Sequence, residues 1–211
     1  AKVMAEAIAV LKAQGATVVD PADVPSFVAK DANDNFPLWD FCSGAEHAKG
    51  KDQNCSINFK YGMKRDYNAW LASLGASAPV KRLKEHREWN VAHAKAGAIK
   101  YGQSRFDISD EIDLAAHKAR VDADDAKDRR LSRDQGIDGV LKQYKLGAFI
   151  TPGGSGAGIA SRAAYPITAV PFGMVPNAPQ QAFPAGFNAK PAPFGIGFVG
   201  TQCSEPKLIE I

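Results

Sequence analysis

The residues that invite chemistry lie between Thr151 and Ser161, where Gly153-Gly154-Ser155-Gly156-Ala157-Gly158 follows the short apolar run Leu146 to Ile150. A glycine-rich turn after a buried strand exposes backbone amides and one hydroxyl, and three readings are open. Phosphate cradling needs a Lys behind the glycines or a regular G-x-G-x-x-G spacing. No Lys follows here, and the third glycine is misplaced. Nucleophilic attack by Ser155 needs a G-x-S-x-G elbow and a neighbouring base. Ala157 stands where the last glycine belongs. The third reading is architectural: Ser155 caps a small-residue helix, Gly156 to Ala164, and the glycines permit close backbone approach. The spacing favours this one.

Other reactive side chains are scattered. His86 and His93 can share a helix face, while His47 and His117 stand apart, and neither H-E-x-x-H nor a carboxylate–histidine spacing occurs. No metal and no cofactor is expected. Cys42, Cys55 and Cys203 lack metal-ligand spacing. Cys42 and Cys55 bracket a polar loop and can pair in an oxidising compartment, and Asn54-Cys55-Ser56 fits a glycosylation sequon.

The elements that must position the glycine turn follow from periodicity. Val3 to Gln14 is an amphipathic helix ended by Gly15, and Ala16-Thr17-Val18-Val19 reads as a strand closed by Asp20-Pro21. Ser26 to Lys60 has few periodic apolar residues and reads as a loop insertion over residues 26–60; residues 61–145 read as mainly helical. Within them, Met63, Tyr67, Trp70, Leu71 and Leu74 make one helical stripe, expected to be core. Val80 to Arg133 mixes both charge signs and reads as solvated helix. Ile137, Val140, Leu141 and Tyr144 form a last stripe that feeds the strand Leu146 to Ile150, an α/β unit with parallel strands expected. Beyond the turn, Tyr165-Pro166 stops the helix, and Ile167 to Val170 reads as a second buried strand closed by Pro171 and Gly173. The fold class is α/β, and strand, turn, helix, strand is the geometry in which such proteins build pockets.

Composition narrows the partners. With 26 basic and 23 acidic side chains the net charge is +3, and the acids cancel phosphate attraction, so no nucleic acid is expected. No apolar run of about eighteen residues suggests a membrane span. Ala1 opens inside a helical pattern and Ile211 stops soon after a candidate cap at Ser204, so the expectation is part of a longer protein. Compartment stays open, because a targeting signal would precede Ala1.

Two segments resemble a known family. Residues 163–176, AAYPITAVPFGMVP, look like the A-G-Y-P-x-I-T-V-P-x-G segment of the amidase signature enzymes, and residues 193–211, PFGIGFVGTQCSEPKLIEI, look like their P-x-G-I-x-F-x-G…S-E-x-x-L-I segment. Ala16 to Pro21 is similar to G-A-x-V-V-D, Tyr61 to Leu74 to the helix ending N-x-Y-L, Asn90 to Phe106 to F-N-x-x-H…Y-G-Q-x-x-F, and Leu146 to Pro152 to L-D-A-L-x-x-P. Departures are Ala164 for the usual Gly, Gly147 near the expected Asp, Trp70 for Tyr, and the insertion at Asn35 to Lys60.

The resemblance implies that residues 1–211 are the C-terminal portion of a single amidase domain, part of a mixed β-sheet sandwiched between helices. It implies hydrolysis of a carboxamide C–N bond by a Ser-Ser-Lys mechanism, with a small-molecule or peptide amide as substrate. All three catalytic groups belong to an N-terminal half without counterpart here. Gly153-Gly154-Ser155 mimics the family's G-G-S-S-G-G-S nucleophile segment but follows the late strand, where the family has a substrate-pocket loop. No catalytic residue is therefore assigned, and Gly153, Ser155, Ile159 and Arg162 are expected to face the substrate. The alternative is a non-catalytic binding or scaffolding subunit of amidase-like fold.

Overall fold

The computed structural model describes residues 2–43, 52–178 and 182–211. His47 lies outside them. The chain forms two compact units, Ala1–Phe36 with Arg129–Ile211, and Pro37–Asp128.

The first unit is built on a three-stranded antiparallel sheet. Strands β1 (Phe149–Pro152) and β2 (Ile167–Val175) flank β3 (Ala192–Val199) in the order β1-β3-β2. Phe149 pairs with Val199 on one side, and Ile167 pairs with Val199 on the other. Strands β1 and β2 thus run in the same direction without touching, which corrects the expectation of neighbouring parallel strands: the C-terminal strand enters between them.

Side-chain alternation along β3 divides the core between the two faces. Ile196 and Phe198 pack with Ala7 of helix α1 (Lys2–Ala13) and Leu208 of α9 (Glu205–Glu210). Val199 packs on the opposite face with Ile137, Val140 and Leu141, and with Ile159, Ala160 and Ala163. These belong to α7 (Asp138–Tyr144), the π-helical turn Arg130–Ile137 before it, and α8 (Ala157–Ala163). The sheet lies between helices as expected, as an α/β arrangement.

Two strand expectations need correction. Ala16 to Val19 joins no strand among the described residues, although its β-branched pattern suits one. Strand β2 does not stop at Pro171 but bulges between Pro171 and Gly173 and continues to Val175, with Val170, Phe172 and Met174 exposed. Proline is tolerated because β2 is an edge, where a missing N–H breaks no ladder bond.

The end of α8 is held by an aromatic anchor. Tyr165 donates its hydroxyl hydrogen bond to Asp138 Oδ2 at 2.7 Å, the Arg133 guanidinium lies 5.0 Å from the Tyr165 ring centre, and Arg133 Nε donates to the Ala163 carbonyl at 2.7 Å. Burial first, then the bond to Asp138, pushes the phenol up to about 12. Ala164 closes the helix in the left-handed region, with φ +53.

The second unit holds α3 (Asn58–Ser73), α4 (Leu83–Ala92), α5 (Ser104–Asp110) and α6 (Lys118–Arg129), the last reaching the unit boundary. The stripe expected as core is only partly so: Leu71 is buried and Met63 and Tyr67 are half-buried, but Trp70 is 52% and Leu74 46% exposed. The inward face of α3 instead carries polar anchors. Lys60, 2% exposed, bonds Asp52 and Glu111; Lys64 donates to the carbonyls of Asp110 and Ile112; Asn68 accepts from the Leu83 amide. A periodicity that counts only apolar residues points to the wrong face when polar side chains bind backbone across it.

The charged helix α6 departs from the solvated reading for the same reason. Asp124 and Asp128, one turn apart, are buried. Asp128 accepts from Trp39 Nε1, Ser56 Oγ and Asn58 Nδ2 at 2.6–2.8 Å, and Asp124 accepts from the Ile57 amide and Arg120 Nε. They fasten Trp39 and residues 56–58, which flank a Cys42–Cys55 disulfide, so the open question of pairing is answered by a bond. The sequon's Ser56 hydroxyl is committed to Asp128 inside this core.

Four outcomes test these assignments. Asp128→Ala removes the acceptor shared by the buried Trp39 and Ser56 donors and the half-buried Asn58 amide, and lowers stability by roughly 3–5 kcal/mol in urea unfolding. Exposed Asp122→Ala changes it by less than about 0.5 kcal/mol. Ala164→Gly relieves a left-handed alanine and raises stability by about 0.5–1 kcal/mol, because the αL cost of about 1–2 kcal/mol exceeds glycine's entropic penalty. In a spectrophotometric titration one phenol of the five titrates near 12 and vanishes in Tyr165→Phe. Because the folded pKa lies above the unfolded value of about 10, the Tyr165 contribution is complete below pH 10 and lost as pH rises towards 12.

Candidate functional site

Strand β1 ends at Pro152, and the chain turns sharply through Gly153, whose φ is +56. The Gly153 amide donates to the Gly195 carbonyl of β3 at 2.7 Å, the Ser155 amide to the Pro152 carbonyl at 3.2 Å, and the Ala157 amide to the Gly154 carbonyl at 2.9 Å. Each bond is local or directed at the sheet, so the turn is a rigid knuckle whose outer side faces solvent.

Close packing beneath the knuckle explains two glycines. A Cβ on Gly156 would stand 2.8 Å from Thr151 Oγ1, and one on Gly197 would stand 2.6 Å from the same atom and 2.9 Å from the Gly153 carbonyl oxygen. Thr151 itself is buried, and its hydroxyl has no hydrogen-bond partner among the described residues. Gly153 and Gly154 are different: a Cβ on either meets nothing within 4 Å, so their missing side chains leave open space outside the turn.

The four residues expected at a substrate do not gather on one surface. Gly153 is half-buried and Ser155 exposed at the knuckle. Ser155 is not the helix cap: Gly156 occupies the N-cap position, and no side-chain cap bond forms. Ile159 is 2% exposed and belongs to the core with Ile137 and Val140, so its side chain is turned inward. A helix that carries Ser155 before its first turn places Ile159 a full turn on, over the sheet. Arg162 is half-buried, with its guanidinium 4.8 Å from the centre of the Phe36 ring, which stacks at 5.3 Å on Phe27 of the short helix α2 (Pro25–Val28).

Sequence reasoning missed Thr151 and the Tyr165–Asp138–Arg133 anchor. The signal for the second was present in the Tyr165-Pro166 helix stop, which needs something to hold it. No comparable signal marks Thr151. Chemically, the knuckle offers backbone and one hydroxyl; among the described residues Ser155 Oγ has no hydrogen-bonded base to raise its nucleophilicity. In the second unit, Cys42, Cys55 and Asp52 converge within 4.8 Å, but the two sulfurs are bonded to each other and present no thiolate. Tyr67 and His86 form a further close pair there, with OH to Nδ1 at 2.5 Å, closed in by Phe106.

Comparison with known proteins gives a consistent result. No family model matches the chain. It is 29% identical over 163 residues to a probable amidase of Arabidopsis thaliana, covering 77% of this chain and 28% of that protein. Among solved structures, it aligns with the native peptide amidase from Stenotrophomonas maltophilia at 28% identity and a TM-score of 0.59, covering 72% of this chain and 30% of that one. It shares its fold with the protein described as PAM12A at a TM-score of 0.71 and 24% identity, over 99% of this chain and 38% of the other. The chain therefore spans about a third of the length of the proteins it matches. By these matches, the chain is similar to amidases, in sequence to the plant protein and the peptide amidase and in fold to PAM12A.

Proposed function

We propose that this chain is the C-terminal part of an amidase that hydrolyses a carboxamide C–N bond through a Ser-Ser-Lys mechanism. Its own contribution is a wall of the substrate pocket, built from the Gly153–Ser155 knuckle and bounded by Arg162. The observation that carries the reading is the knuckle's geometry: a rigid backbone turn with open space outside Gly153 and Gly154, set by close packing on β3. Such a surface can lie flat against a planar amide and offers nothing that attacks it.

The division of labour has a physical basis. A serine hydroxyl attacks a carbonyl at neutral pH only when a base removes its proton, and the oxyanion that forms needs preorganised donors. Ser155 has no hydrogen-bonded base among the described residues, so it is placed as a contact and not as the nucleophile. Gly153 and Gly154 keep the wall low, and a small-molecule or peptide amide is the substrate class that such a pocket admits.

The test is amide hydrolysis by the complete protein and by residues 1–211 alone. The complete protein turns over a peptide amide, and the 211-residue chain does not. In the complete protein, Ser155→Ala changes kcat/KM by less than about tenfold, the size of a lost contact. A loss on the order of ten-thousandfold would make Ser155 the nucleophile and overturn its placement. No hydrolysis by the complete protein would leave the scaffolding alternative standing.

A further inference from the structure

Strands β2 and β3 run on past the end of β1. The last pair of β1 is Pro152↔Ile196, and the Gly153 amide then takes the Gly195 carbonyl; beyond that level Phe194, Pro193 and Ala192 pair with Gly173, Met174 and Val175 of β2. The hairpin therefore projects past the knuckle by about three residues, on the order of 10 Å. In the loop that closes it, Phe183 stacks on Phe187 with ring centres 4.7 Å apart, and Phe187 is 58% exposed.

The register decides which way the projecting side chains face. Phe194 packs with Ala7, Ile196 and Phe198 on the α1 side, so Pro193 stands with Gly195, Gly197 and Val199 on the side that carries α8. In an unbroken ladder, Pro171↔Gly195 would bring Met174 opposite Ala192 and turn it towards α1. The bulge inserts Phe172 and shifts the pairing by one, so that Met174 lies opposite Pro193. Gly173 fixes the phase, because a Cβ there would stand 3.2 Å from Val3 Cγ1 of α1. Met174, 59% exposed, is thereby placed on the knuckle's side of the sheet, one alternation beyond the Gly195 that holds Gly153.

We infer that this hairpin carries the subsite for the substrate group next to the scissile carboxamide, with Met174 as a specificity-determining contact, and that the group it takes is aromatic or long-chain aliphatic. The inference deepens the proposed amidase reading and rests on it. Two residues of strand, about 7 Å, separate Gly195 from the Met174 level, so an amide lying against Gly153 and Gly154 has its substituent along the hairpin. The walls set the chemistry of that substituent. Between Arg162 and Glu205 the only charged side chain is Lys190, so the arm offers no carboxylate to a cationic group. An unbranched thioether adapts to apolar shapes, and the stacked Phe183 and Phe187 rings add apolar surface at the end of the hairpin.

Two probes test this on the complete protein: N-acetyl-alanyl-phenylalaninamide and N-acetyl-alanyl-glycinamide, each followed by hydrolysis and, separately, by calorimetric binding. The expected result is a preference for the phenylalaninamide. Met174→Ser lowers kcat/KM for it by about ten- to a hundredfold, mainly through KM, and weakens its binding by a similar factor, while the glycinamide changes by less than about twofold. Val170→Ser, at a residue 45% exposed on the α1 side, alters neither probe. An unchanged phenylalaninamide in Met174→Ser overturns the inference, and so does an equal loss for both amides, which is the mark of a role in the fold. Hydrolysis of both amides at rates independent of Met174 refutes the subsite and keeps the activity. Binding of the phenylalaninamide that depends on Met174 without hydrolysis of either probe refutes the activity and keeps the subsite. Absence of both binding and hydrolysis overturns both.

Discussion

The pairing of β3 with both of its neighbours is the interaction on which the first unit depends. Strand β3 supplies Ile196 and Phe198 to one core and Val199 to the other, so it joins the α1 and α9 layer to the α7 and α8 layer. Burial of this kind stabilises by about 25 cal/mol per Å² of apolar surface, and each of these side chains is almost fully covered. The glycine knuckle inherits its position from the same strand. Gly153 bonds to Gly195, and the missing side chain of Gly197 makes room for Thr151 and the Gly153 carbonyl. A change in β3 therefore reaches the candidate pocket wall directly.

The second unit relies on another device. Its apolar cluster is small, with Cys42, Ile57, Tyr61, Ile112 and Val121, and its organisation comes from buried polar groups. Asp124 and Asp128 work as a pair of acceptors for one loop, and Lys60 as a donor held between Asp52 and Glu111. Buried charges are costly unless every lone pair and proton is matched. Here the matching is dense, and it gives Trp39 and residues 56–58 one geometry where apolar contacts alone would permit several.

Much of the first unit was legible in the sequence. The α1 helix, the Leu146 strand region, the small-residue helix and the strand that begins at Ile167 all follow from periodicity, glycine placement and proline stops. The order of the strands was not, because nothing in local sequence says that a C-terminal strand inserts between two earlier ones. Ala16 to Val19 misled by its composition, since a strand also needs a partner. In the candidate site, the glycine pattern marked the turn at Gly153 and Ser155, but it did not show that Ile159 faces the core, because helix phase over the sheet depends on where the helix begins. The inward Asp124 and Asp128 were invisible amid like neighbours in DADDAKD, where only the position of Trp39, Ser56 and Asn58 distinguishes them.

The first unit draws on residues before 36 and after 129, and its central strand lies among the last twenty residues. On a ribosome that adds about 5–20 residues per second, the apolar faces of α1, β1 and α8 emerge seconds before the strand that covers them. Throughout that interval they are exposed surface, open to chaperones and to one another, while the intervening residues are already complete. The first unit's vulnerability to misassembly is therefore set by the timing of β3, and a chain that stops short of it would carry the apolar faces of α1, β1 and α8 without the strand that joins them.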